Sequence, residues 1–283
     1  MSAELNPSTV WPAPAKLNLF LHITGRRDDG YHLLQTVYQF LDYADELVFT
    51  PRTDGQINRL NNIDGVPAEQ DLVVRAASLL QQASAIQQGV DIELRKKLPM
   101  GGGLGGGSSD AATTLFALNK IWGCGLDVAH LAELGLQLGA DVPVFIRGQS
   151  AWAEGVGENL TPVDLPEPWF VVLCPPVNVS TAKVFSDPQL IRDCPAITIR
   201  DFLSGGGTNV CEPLVRKGWP KVDEAIRDLS RFGEARMTGT GACVFSAFEQ
   251  EQAARDAWQA LSGQWPGFVA RGNNTSSLLQ VLN

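Results

Sequence analysis

The stretch of the chain best equipped for chemistry is Pro99-Met100-Gly101-Gly102-Gly103-Leu104-Gly105-Gly106-Gly107-Ser108-Ser109-Asp110, in which six glycines occupy the seven positions 101–107. Glycines ahead of a helix permit positive φ and let backbone N–H groups approach an anion, to which the helix N-terminus adds about half a positive charge. The glycines run straight into Ala111-Ala112-Thr113-Thr114-Leu115-Phe116-Ala117-Leu118, a pattern compatible with a buried helix capped by Ser108 or Ser109. A flexible linker would have no use for Pro99 before the run, Leu104 within it and an apolar helix after it, so the run reads as a phosphate cradle.

Two further groups have the chemistry to act on a bound phosphate. Lys16 and Asn18 share one face of the alternating run Lys16–Ile23, whose Leu17, Leu19, Leu21 and Ile23 share the other. Asp141 follows a helix stop at Gly139 and precedes Val142-Pro143-Val144-Phe145, which reads as the entry to a strand. Phosphoryl transfer is mainly positioning and electrostatics. It needs a carboxylate near the attacking hydroxyl and a cation near the spreading phosphate charge, the types that Asp141 and Lys16 supply. By residue type alone, Lys16 also fits a solvated strand lysine and Asp141 a turn cap.

Other phosphate-binding classes fit less well. Gly101-x-Gly103-x-x-Gly106 satisfies the dinucleotide fingerprint, but six glycines make that nearly automatic. Lys96-Lys97-Leu98-Pro99 intervenes where a buried strand should turn tightly, and the region near Asp127 reads as a helix start rather than an acidic strand end. No Gly-Lys dipeptide is present for a P-loop, and the protein-kinase signatures H-R-D and D-F-G are absent.

The elements that must position these residues are short strands around Glu46–Thr50, Val90–Leu94 and Trp169–Cys174. Helices are expected over 72–88, 127–138, 219–231 and 249–262. A polar turn, Arg26-Arg27-Asp28-Asp29-Gly30, delivers Tyr31 and His32. Pro162, Pro166 and Pro168 mark a change of character near residue 160, which divides the chain into lobes over 1–160 and 161–283. With 283 residues and 44% hydrophobic content, each lobe can bury a core of its own. A net charge of −9 argues against nucleic acid as the main partner. No run has the roughly 18 apolar residues of a membrane span, and the N-terminus lacks a basic segment followed by an apolar one, so a cytoplasmic protein is expected. Five scattered cysteines without a C-x-x-C pair read as reduced thiols, and three distant histidines argue against a transition-metal site.

Taken together, Pro14-Ala15-Lys16-Leu17-Asn18, Pro99 through Ser109, and Gly239-Thr240-Gly241-Ala242-Cys243-Val244-Phe245 resemble, in order, the three motifs of the GHMP small-molecule kinases. The resemblance spans essentially the whole chain. It implies a two-lobe α/β fold with an N-terminal ATP-binding lobe, a C-terminal substrate lobe and the active site in the cleft between them. ATP and Mg²⁺ would be the cofactors, with Asp141 as catalytic base and Lys16 as its partner. Lys96, Pro99, Gly101, Gly102, Gly103, Leu104, Gly105, Gly106, Gly107, Ser108 and Ser109 would hold ATP. The further segments around Gly30-Tyr31-His32 and Leu138–Phe145 resemble members acting on a small molecule, a cytidine diphosphate-linked methylerythritol, at its 2-hydroxyl. In that reading Asn18, Tyr31, His32, Asp141, Thr181 and Phe185 bind substrate, with Tyr31, His32 and Phe185 around the cytosine ring. Two positions depart from the family. Asp71 stands in place of an asparagine near adenine, and Asp110 stands in place of a neutral residue, where it would favour the helix dipole.

Overall fold

The computed structural model describes residues 9–28 and 30–282; residues 1–8, Asp29 and Asn283, and with them part of the sequence-predicted Arg26–Gly30 turn, lie outside it. The first half of the chain forms β1 (Val10–Arg26), β2 (His32–Arg52), β3 (Ile57–Arg59), α1 (Leu72–Ala83), β4 (Gly89–Arg95), α2 (Gly106–Ile121), α3 (Val128–Leu138), α4 (Val142–Arg147), β5 (Ala151–Glu154) and β6 (Asn159–Pro162). The second half forms β7 (Trp169–Leu173), α5 (Thr181–Ser186), α6 (Ile199–Leu203), α7 (Glu212–Gly218), α8 (Pro220–Leu229), β8 (Ala235–Met237), β9 (Val244–Phe248), α9 (Glu251–Leu261), β10 (Gly267–Asn273) and α10 (Ser277–Leu282).

The spine is β2, whose 21 residues absorb the strand expected at Glu46–Thr50. One edge pairs antiparallel with β1 along its length, from Val10↔Val48 to Arg26↔His32. The other edge is shared in turn by β5 at Thr36–Tyr38, β10 at Phe40–Leu41 and β4 at Glu46–Arg52. The two pairs Gly272↔Leu41 and Asn273↔Phe40 join the first-half strands to β7, β9 and β8, so one continuous sheet passes under both lobes.

Buried apolar clusters hold this frame. Leu47, Ile92, Leu80, Leu115 and Phe145 pack α1, α2 and α4 on the first-half sheet, and Leu278 of α10 returns to the same cluster. Ile23, Val171, Val215, Leu229 and Leu261 form the second-half core. A third cluster, with Leu17, Leu98, Leu104, Val172 and Phe245, lies between them. The expected mixed α/β, two-lobe architecture is the one observed.

Two local expectations are corrected. Val142–Phe145 does not enter a strand but opens α4, because Pro143 sits in the first turn, where its fixed φ suits a helix and its missing N–H costs nothing. The helix expected over 72–88 stops at Ala83, before Ala85 takes a positive φ of 52°.

Candidate active site

The glycine run links β4 to α2 and owes its shape to alternating positive φ at Gly101, Gly103 and Gly105. At Gly103 a Cβ would lie 2.3 Å from the Thr238 carbonyl oxygen; at Gly105 it would lie 2.8 Å from the Phe145 ring and 3.0 Å from Lys16 Cε. Neither position accepts a side chain. Leu104 is the exception that pins the loop: it is 1% exposed in the cluster between the lobes, an anchor on the order of 1.5–3 kcal/mol. Gly105, in the left-handed region, is the residue that precedes α2, so the expected capping by Ser108 or Ser109 is corrected. Both serines lie inside the first turn, and Ser109 N–H already donates to Gly105 O at 2.8 Å.

The loop is held at its base by a residue that sequence reading missed. Asp45, fully buried on β2, accepts from Lys97 N–H (2.5 Å) and Leu98 N–H (2.7 Å) through Oδ1. Its Oδ2 accepts from Lys96 Nζ at 2.5 Å, and the same ammonium donates to Asp110 Oδ2 at 2.8 Å. Asp110 is therefore a partner of Lys96, not the helix-dipole residue expected. Burial pushes its carboxyl up to about 8 against the pull of Lys96. Burial also opposes the Lys96 charge, but Asp110 and Asp45 outweigh it and hold the amine above the ordinary lysine range.

Lys16 and Asp141 meet at the mouth of this loop, with Nζ 3.2 Å from Oδ2. A register shift in β1 between Pro14 and Lys16 frees Lys16 N–H from the ladder, and it donates instead to Leu104 O at 3.0 Å. The buried Nζ donates further to Asn18 Oδ1 (2.5 Å) and Gly103 O (3.1 Å). Asn18 is fixed in turn by its Nδ2 donating to Thr36 Oγ1 and its N–H donating to Thr238 Oγ1. Asp141 stands at the N-terminus of α4 without a side-chain capping bond, and its Oδ1 accepts from Tyr38 Oη at 3.0 Å. Tyr38 was not anticipated. Its alternation with Phe40 reads as core, and the register that places it opposite Asn18 spans separate strands.

The third motif closes the site. Asn209 Nδ2 donates to Met237 O and Gly239 O, both at 2.8 Å, and Cys243 N–H donates to Gly102 O. The hydroxyls of Thr181 and Thr240 lie 2.9 Å apart at the cavity wall.

These parts line one cavity of about 590 Å³. Lys16, Asn18, Lys96, Pro99, the run Gly101–Gly107, Ser108, Asp141, Thr181 and Phe185 all face it. Three anticipated residues stand apart from the lining. Ser109 is buried behind the loop, Tyr31 is 64% exposed, and His32 lies behind Phe185, with stacked rings 5.1 Å between centroids. Arg192 Nε donates to His32 Nε2 at 3.0 Å. Burial, with Arg192 and Arg26 adding to it, lowers the imidazole pKa. Asp71 faces the cavity while accepting from Val73 N–H at the start of α1 and pairing with Arg59 at 2.5 Å.

A two-lobe α/β fold whose glycine cradle faces a lysine–carboxylate pair defines a phosphotransferase of small molecules, and sequence comparison agrees. Models of the GHMP kinases match the chain twice, the N-terminal domain over residues 71–149 and the C-terminal one over 198–267. The protein belongs to the GHMP kinases. Within the family, it is 59% identical to the 4-diphosphocytidyl-2-C-methyl-D-erythritol kinase of Nitrosococcus oceani, over 96% of this chain and 98% of that one. It is 58% identical to the protein of the same name from Pseudomonas aeruginosa, over 96% of each. A crystal structure of 4-(cytidine 5'-diphospho)-2C-methyl-D-erythritol kinase superposes with a TM-score of 0.82 at 34% identity, covering 94% of this chain and 99% of that one. A mevalonate kinase structure shares the fold at 15% identity, with a TM-score of 0.69 over 95% of this chain and all of that one.

Proposed function

We propose that the protein transfers the γ-phosphoryl group of ATP to the 2-hydroxyl of 4-diphosphocytidyl-2-C-methyl-D-erythritol, giving the 2-phosphate and ADP for isoprenoid precursor synthesis by the non-mevalonate route. The observation that carries this reading is the Lys16–Asp141 pair, 3.2 Å apart in the same cavity as the glycine cradle. The acceptor is chosen on the relatives at 58–59% identity over nearly the whole chain.

The chemistry follows from what the residues can do. The loop N–H groups at the start of α2 favour the triphosphate, and Lys16, already drawn toward the loop through Gly103 O, offers positive charge where negative charge spreads in the transition state. Asp141 takes the proton of the attacking hydroxyl as the new O–P bond forms and ADP departs. Asp141, one-third exposed, and Ser108 line the same cavity. These oxygen donors fit Mg²⁺, an ion that needs only one or two protein ligands beside phosphate oxygens. When bound, it neutralises phosphate charge.

In this reading residues 1–160 carry ATP and 161–283 the acceptor, with Phe185, His32 and Tyr31 around the cytosine ring. Thr181 and Asn18 contact the polyol side. The five cysteines, all free thiols, suit a reducing cytoplasm. ADP release by the purified protein with Mg-ATP is expected with the cytidylyl alcohol and not with homoserine or mevalonate. Turnover of either of the latter, and none of the former, would refute the acceptor assignment.

A further inference from the structure

Tyr38 is buried beneath the reacting pair: it is 2% exposed, its ring lies 5.2 Å from Lys16 Nζ, and its hydroxyl points at Asp141. Burial, with the charge of Asp141 beside it, raises the phenol well above its ordinary pKa, so the hydroxyl remains a donor. Room for that hydroxyl is made by Gly157 in the β5–β6 turn, where a Cβ would lie 3.1 Å from Oη.

The two donors to Asp141 are not equivalent. Lys16 Nζ divides itself among Asn18 Oδ1 at 2.5 Å, Gly103 O at 3.1 Å and Asp141 Oδ2 at 3.2 Å, so its contact with the carboxylate is the longest of the three. The Asp141 side chain caps nothing, although it stands at a helix N-terminus where aspartate ordinarily accepts from the backbone. The terminal torsion of a carboxylate is broad, so two fixed donors on opposite oxygens are what set its plane.

Resting on the proposed role of Asp141 as base, we infer that Tyr38 is a positioning residue for the reaction: its hydroxyl locks the Asp141 carboxylate so that an unfilled lone pair faces the acceptor hydroxyl. Phenylalanine at this position keeps the buried ring and removes only the tether.

The test is Tyr38→Phe, read by kinetics and by infrared spectroscopy of the protein without substrate. A tenfold fall in kcat, on the order expected for losing a hydrogen bond to a charged group, should come with KM for ATP and for the acceptor changed less than about twofold. The carboxylate stretch of Asp141, identified by its loss in Asp141→Asn, should shift in Tyr38→Phe. In the Asp141→Asn background the same substitution should cost nothing further. An unshifted band with unchanged kcat overturns the inference. So does a rate loss that tracks a fall in Tm with the band unmoved, because that outcome describes a merely structural ring. The infrared readout needs no substrate, so failure of the cytidylyl alcohol to react would refute the acceptor and leave this result standing.

Discussion

Asp141 carries the most concentrated consequence of any side chain, because each of its oxygens already has a donor and the residue lines the cavity. Asparagine is nearly isosteric and keeps a carbonyl oxygen, but it cannot take a proton. Asp141→Asn is therefore expected to lower kcat by about 10²–10⁴ while leaving the Kd for ATP, measured by calorimetry, within about twofold. A comparable loss of ATP affinity would place Asp141 in nucleotide binding instead. Lys16, Asn18 and Asp141 were legible from residue type and motif, since strand alternation put the first two on one face. Tyr38 and Asp45 were not. Each acts on a partner distant in sequence, Tyr38 on Asp141 and Asp45 on Lys97, and only the folded register brings them together.

At the scale of elements, the β4–α2 connection shows what sequence chemistry captures and what it leaves out. Its glycines announced the positive φ found at Gly101, Gly103 and Gly105, and Leu104 was noted as out of place in a linker; its 1% exposure gives the reason. The capping of α2 was misread because serine is the commoner cap, whereas here a left-handed Gly105 turns the chain into the helix and leaves the serines inside it. Asp110, one turn further, is pushed up to about 8 by burial, with nearby Asp45 and Asp71 adding to the rise and Lys96 opposing it. An unfolded chain releases that proton near pH 3.8, so the folded state binds more protons between about 4 and 8. The stability this group contributes is full below pH 4 and is lost as pH rises through 8. Asp110→Asn removes the titration and keeps the shape. Its urea midpoint relative to the unsubstituted protein should therefore climb from pH 5 to 8 and level off above about 9, whereas parallel curves would show that Asp110 does not hold its proton.

The whole molecule is organised by β2, one strand that serves β1, β5, β10 and β4 and so fixes the glycine loop, the Lys16 strand and the second-half sheet in one frame. The mixed α/β fold and the family were legible from three ordered motifs. The continuity of the sheet was not, because β10 reaches β2 across some 230 residues through only two paired positions. That continuity lets the third motif support the first: Thr238 accepts from Asn18 N–H, and Asn209 fixes both ends of the Met237–Gly239 turn. The central claim is that this frame delivers a phosphoryl group to one alcohol of a cytidine diphosphate-linked polyol. It is tested most directly by ³¹P NMR of the purified protein with Mg-ATP and 4-diphosphocytidyl-2-C-methyl-D-erythritol. The γ-phosphate signal should give way to that of ADP and a single new phosphomonoester on the intact cytidylyl diphosphate. An unchanged ATP spectrum, or a new ester formed only when another alcohol is supplied, would contradict it.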